Sequence, residues 1–167
     1  MRTLLSIICL FSLCSFSQGA FAPLSLEQKI RSSDVIVRAK VVKMSNVLID
    51  KSDKNSWRSP SRVATLELLQ TYHKAKNVKV LAKFKVYCGF RYNESPDLTD
   101  GREYFMFLKR VKGDIYKPVG IATMHPIYEK RVLNFGMDHP KDLFESFEER
   151  STKLTDWVSR IAKIYKG

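Results

Sequence analysis

The run Tyr104-Phe105-Met106-Phe107-Leu108 sets the tightest limit on the fold of this chain. It lies inside a stretch of strand length, Arg102 to Val111, bounded by Gly101 and by Lys112-Gly113-Asp114. Side chains of a strand point alternately to opposite faces, so five apolar residues in succession require cover on both faces. The spacing therefore predicts a central strand rather than one with a wet side.

Other segments carry the same period of two with one face polar. Val35, Val37, Ala39 and Val41 alternate with Ile36, Arg38, Lys40 and Val42. From Arg62 to Tyr72, Ala64, Leu66 and Leu68 oppose Val63, Thr65 and Glu67, and His73 to Asn77 makes a polar turn. Val78 to Tyr87 predicts a strand with Val78, Val80, Ala82, Phe84 and Val86 inward and Lys79, Lys83 and Lys85 outward. Lys112-Gly113-Asp114 predicts a hairpin turn into a strand over Ile115 to Ile121, with Pro118 at an edge or bulge, and Tyr128 to Phe135 predicts a last strand.

Helical spacing appears at both ends of this strand-rich region. Ser25 caps a short helix through Arg31 with Leu26 and Ile30 on one side. Leu143, Phe147, Leu154, Trp157, Val158, Ile161 and Tyr165 recur at three- and four-residue steps, predicting a C-terminal amphipathic helix over about 140–166, which Ser151-Thr152 can cap and divide. Ser45 to Ser61, with Trp57, and Phe90 to Asp100 are polar loops.

The first residues have the composition of an export signal. Met1-Arg2 is basic, Leu4 to Leu13 is almost wholly apolar, and Gly19 to Ala22 offers small residues for cleavage, so residues 1–20 are expected to be a leader and 21–167 one domain. The apolar run is about half the roughly 20 residues of a membrane span, so no stable span is expected after cleavage. The expected address is outside the cytoplasm, secreted or periplasmic.

Cys9 and Cys14 fall within that leader, which leaves Cys88 and no internal disulfide, and a buried thiol is expected. The chain has a formal charge of +12, of which only Arg2 belongs to the leader, so the mature chain keeps +11. A bias of this size favours polyanionic partners outside the cell. The candidate site is a basic row, Lys79, Lys83 and Lys85, extended by Lys109, Arg110 and Lys112. Its structural explanation is that lysines on an exposed strand suppress edge-to-edge aggregation.

Signatures of catalysis are missing from the sequence pattern. His73, His125 and His139 are scattered, there is no His-Glu-x-x-His, no phosphate-cradling glycine loop and no Gly-x-Ser-x-Gly turn. No catalytic residue, metal ligand set or cofactor is therefore expected, and the chain reads as a non-enzyme.

The order of short helix, strand, long loop, further strands and terminal helix is that of a mainly β domain with flanking helices, a five-stranded Greek-key barrel of OB-fold type. Cys88-Gly89-Phe90, a spacer, and Gly101-Arg102-Glu103-Tyr104-Phe105-Met106-Phe107 resemble the Cys-Gly, spacer, Gly-x-x-Tyr-Leu stretch of tissue inhibitors of metalloproteinases and netrin-like domains. Ser32 to Val41 is similar to the opening strand of that superfamily and of its exported bacterial relatives. The resemblance covers roughly Leu26 to Val119. It implies an exported, non-catalytic binding module whose partner is an anionic glycan or an acidic protein, with no specific nucleic acid among its partners. Inhibitors of that family chelate zinc through an N-terminal cysteine held by disulfides. Cleavage near Ala20 supplies no such cysteine, so no inhibitory residue carries over. The alternative is a protease inhibitor or small envelope enzyme with histidines and carboxylates converging in one cleft.

Overall fold

The computed structural model describes residues 24–46, 62–88, 98–120, 122–133 and 151–166. The expected leader, Trp57, His139 and the helical stretch with Leu143 and Phe147 lie outside the described residues. Helix α1, Leu26–Ser32, begins at a capping box in which the Gln28 backbone N–H donates to Ser25 Oγ at 3.2 Å and the Ser25 N–H donates to Gln28 Oε1 at 2.9 Å. Five strands follow: β1 Val35–Asn46, β2 Arg62–Lys74, β3 Lys83–Cys88, β4 Glu103–Lys112 and β5 Ile115–Pro118.

They hydrogen-bond in the order β1-β2-β3-β5-β4, and β4 pairs back onto β1 from Val35↔Leu108 to Lys40↔Glu103, which closes the barrel. Four contacts are antiparallel and β3–β5 is parallel. This is an OB-fold-like barrel. Closure requires long strands to bend, and the β1–β2 register shifts at three places, including Val41/Lys43, where Val42 is the extra residue.

Tyr104 through Leu108 are all fully buried, as their sequence requires. Tyr104, Met106 and Leu108 fill the barrel with Val35, Val37, Ala39, Val41, Leu66, Phe84, Val86 and Tyr116. Phe105 and Phe107 point the other way, into a second apolar layer with Ile30, Ile36, Ile127, Val132, Trp157 and Ile161. Strand β4 is thus the wall between two cores.

The second layer is built by β6 Met124–Tyr128, β7 Arg131–Leu133, β8 Ser151–Lys153 and α2 Leu154–Lys166. Strand β6 shares the outer edge of β4 with β5: it takes Glu103 to Met106, and β5 takes Leu108 to Lys112.

Four expectations need correction. The strand predicted over Val78 to Tyr87 begins only at Lys83, opposite Glu67. Before it the chain turns, with the Val78 N–H donating to Ala75 O at 3.0 Å, and the alternating valines serve a different purpose: Val78 and Val80 pack against the barrel core. In place of the single strand predicted over Tyr128 to Phe135, the described residues Met124 to Leu133 form a hairpin, because Glu129 and Lys130 adopt left-handed φ of 47° and 62° and reverse the chain between β6 and β7. Ser151-Thr152 is not a helix cap but part of β8, paired with β7. Strand β5 ends at Pro118, short of the predicted Ile121.

Candidate binding face

With Ala64 and Leu66 of β2 and the even-numbered residues of β3 and β5 turned into the barrel, the odd-numbered residues between them form its outer surface; beyond the register shift in β2 the sense changes, and Tyr72 packs outward on Phe105. Strand β3 buries Phe84, Val86 and Cys88 and exposes Lys83 and Lys85. Strand β5 buries Tyr116 and Pro118 and exposes Lys117, and β4 exposes Lys109 once it has passed the second apolar layer. Strand β1 adds Lys40 and, through the bulge at Val42, Lys43.

Cross-strand register arranges these side chains in rows. Lys43 lies opposite Thr65, which lies opposite Lys85, itself opposite Ile115. Lys40 lies opposite Glu67, which lies opposite Lys83. Lys109 faces Lys117 directly. Strand neighbours are about 4.8 Å apart and alternate residues along a strand about 7 Å apart, so Lys40, Lys43, Lys83 and Lys85 share the outer face of β1, β2 and β3, with Glu67 among them and Glu103 across from Lys40, while Lys109 and Lys117 stand further round the closed barrel on β4 and β5. Like charges directly opposite are destabilising, so the Lys109–Lys117 pair does not arise from folding requirements. The ion pairs among the described residues are Arg31–Glu27 and Arg38–Glu103, and neither involves a lysine of this face.

The six basic residues picked out by sequence do not stay together. Lys83, Lys85 and Lys109 stand on the outer surface of the barrel. Lys79 does not share a strand with Lys83 and Lys85: it lies in the turn segment, its carbonyl accepts from Tyr116 Oη at 3.3 Å, and its side chain lines a groove of about 530 Å³ with Thr71, Tyr72, His73, Lys74 and Val80. Lys112 is exposed at the β4–β5 turn. Arg110 is tied into the scaffold, since its Nε donates to Gly113 O at 3.0 Å and its backbone N–H to Asp34 Oδ2 at 2.8 Å. Sequence analysis missed Lys40, Lys43 and Lys117 as members of the face. The Ile115-Tyr116-Lys117-Pro118 alternation could have indicated Lys117, but the Val42 bulge that turns Lys43 outward leaves no mark in the pattern.

The two described histidines, His73 and His125, do not converge. His73 stacks on Tyr165 with ring centroids 4.3 Å apart, and burial holds it below its ordinary pKa. His125 is buried on the far side of β4, where its Nδ1 lies 3.0 Å from Leu133 O and its Nε2 lies 3.4 Å from Lys29 Nζ. A carbonyl only accepts, so the ring proton sits on Nδ1 and Nε2 is left to accept from the lysine. Burial first, and the Lys29 charge second, push His125 down to about 3, while burial pushes Lys29 down to about 8. Both are nearly sealed from solvent, Lys29 at 6% and His125 at 3% exposure, so this pair has the proton chemistry of a site but no open access to a substrate. Among the described residues no group of three or more His, Cys, Asp or Glu could hold a metal ion. Cys88 is buried in the barrel core.

No protein-family model matches this chain, and no curated protein matches it.

Proposed function

We propose that this protein is an exported, non-catalytic binding module, related to the netrin-like group, whose outer barrel face takes an anionic glycan or another acidic partner. The observation that carries this reading is the grouping of Lys40, Lys43, Lys83 and Lys85 on the outer face of β1, β2 and β3, with Lys109 and Lys117 paired on the neighbouring strands and no ion pair to any of the six among the described residues. In OB-folds generally, the face of the second and third strands is the one used for oligonucleotides and oligosaccharides, and here that face holds Thr65, Lys83 and Lys85. The basic composition adds long-range attraction toward any polyanion.

The test is elution of the mature protein from a sulfated-glycan column compared with a plain cation exchanger of equal charge density. Later elution from the glycan is the expected result. Equal elution, or glycan binding that does not weaken with salt, overturns the reading, because contacts of this kind depend on screened charge.

A further inference from the structure

The lysine face also carries aliphatic side chains that folding leaves uncovered. Among the described residues the exposed large hydrophobics are Val42, Leu69, Leu81, Val111 and Tyr165, and Tyr165 is accounted for by its stack on His73. The four aliphatic ones all belong to the barrel strands or to the segment entering β3. The Leu68 N–H donates to Ala82 O at 2.9 Å, which sets Leu69 against Leu81 two positions beyond the Glu67↔Lys83 pair. These two leucines, 41% and 45% exposed, form a small apolar spot at the end of the lysine rows. Val42 protrudes at the bulge beside Lys43 on the opposite side of β2.

Single exposed aliphatic residues are ordinary, but here Val42, Leu69 and Leu81 lie on the same stretch of β1, β2 and the entry to β3 that carries Lys40, Lys43, Lys83 and Lys85. A soluble anionic polymer gives leucines nothing to bury against. An anionic bilayer does, because its headgroup layer meets ammonium groups while the acyl boundary beneath accepts short apolar side chains, and the two attractions add. Helix α2 cannot serve this purpose: Trp157 and Ile161 of its apolar stripe are already buried against Phe105, Phe107 and Ile30.

Resting on the reading of this face as an anion-binding surface, we propose that its partner is the surface of an anionic lipid bilayer. Headgroups meet Lys40, Lys43, Lys83 and Lys85, and Leu69 and Leu81 enter the interfacial layer.

The experiment is sedimentation of the mature protein with vesicles of phosphatidylcholine alone and of phosphatidylcholine mixed with phosphatidylglycerol, alongside binding to soluble dextran sulfate. Binding to the mixed vesicles only is expected. The double variant Leu69→Ser with Leu81→Ser changes solvent-exposed positions and leaves both cores intact. It should lose about tenfold in vesicle affinity while its dextran sulfate affinity stays within about twofold. Lys83→Gln with Lys85→Gln should weaken both. Dextran sulfate binding without vesicle binding, or vesicle binding undiminished in the leucine variant, overturns the bilayer proposal and leaves the anion-binding reading standing. Failure to bind either probe overturns both.

Discussion

Lys29 and His125 show how a single buried pair can dominate the response of a protein to pH. His125 lies near 3 in the folded chain against an ordinary 6.5, so between those values the unfolded chain binds more protons than the folded one. Stability is then fully present above pH 6.5 and is lost as the pH falls toward 3, by roughly 4 to 5 kcal/mol from this residue. In His125→Gln the dependence of the urea midpoint on pH between 6.5 and 4 should flatten markedly, even though the variant is less stable at pH 7; an unchanged slope would assign the acid sensitivity to other groups. Lys29 has the same sign in a different window. Its folded value of about 8 lies below the ordinary 10.5, so the penalty for burying its charge is complete below pH 8 and disappears as the pH rises to 10.5. Replacing a buried charge that has no carboxylate beside it, among the described residues, with an apolar chain of similar length removes that penalty. Lys29→Met should remove that penalty but leave His125 Nε2 without its donor, so the two effects should offset to within about 1 to 2 kcal/mol at pH 7, and the variant should lose the rise in stability above pH 8, as read by denaturant titration at the two values.

At the scale of elements, β4 explains why one strand can hold two apolar layers together. Met106→Ala opens space inside the barrel, Phe105→Ala opens it beneath α2, and each should cost about 2 to 5 kcal/mol. The two variants differ in what else they disturb. Phe105 meets Trp157 edge-on with centroids 6.2 Å apart, whereas Met106 faces away from it. In a Trp57→Phe background, Trp157 emission should shift to longer wavelength in Phe105→Ala and remain unshifted in Met106→Ala; equal shifts would mean that the layers are not separated by β4. This double burial was legible in the sequence, because an unbroken apolar run admits few other arrangements. The strands with one wet face were legible for the same reason, as was the Ser25 cap. Val78 to Ala82 was misassigned because alternation records which side chains are buried and not what backbone shape buries them. A turn across the core end and a strand in the wall both put Val78 and Val80 inside. The β6–β7 hairpin was missed because Glu129-Lys130 lacks the glycine or asparagine that usually announces left-handed backbone.

For the whole molecule, the helices, β6, β7 and β8 cover the outer face of β4 at Phe105 and Phe107, and six exposed lysines stand on the barrel strands outside that cover. Half of them could be foreseen. Lys83 and Lys85 follow from the period of one strand, and Lys109 was named as an extension of their row. That Lys43 stands two strands from Lys85, and Lys109 beside Lys117, depends on which strands become neighbours, and the parallel β3–β5 contact links the two groups. Sequence separation conceals that contact. The arrangement predicts that the position of positive charge matters more than its amount. Two variants with the same loss of charge make the comparison: Lys43, Lys83, Lys85 and Lys117 changed to Gln, against Lys130, Lys153, Arg160 and Lys163 changed to Gln. All eight positions are solvent-exposed, so neither set opens a core. If attraction to a polyanion came only from the net charge, both sets would weaken binding alike and would keep parallel salt dependences. If the lysine rows make the contacts, the first set should weaken binding to an anionic probe at least about tenfold more than the second. It should also flatten the dependence of log affinity on log salt, because each direct contact removed takes its displaced counterion with it.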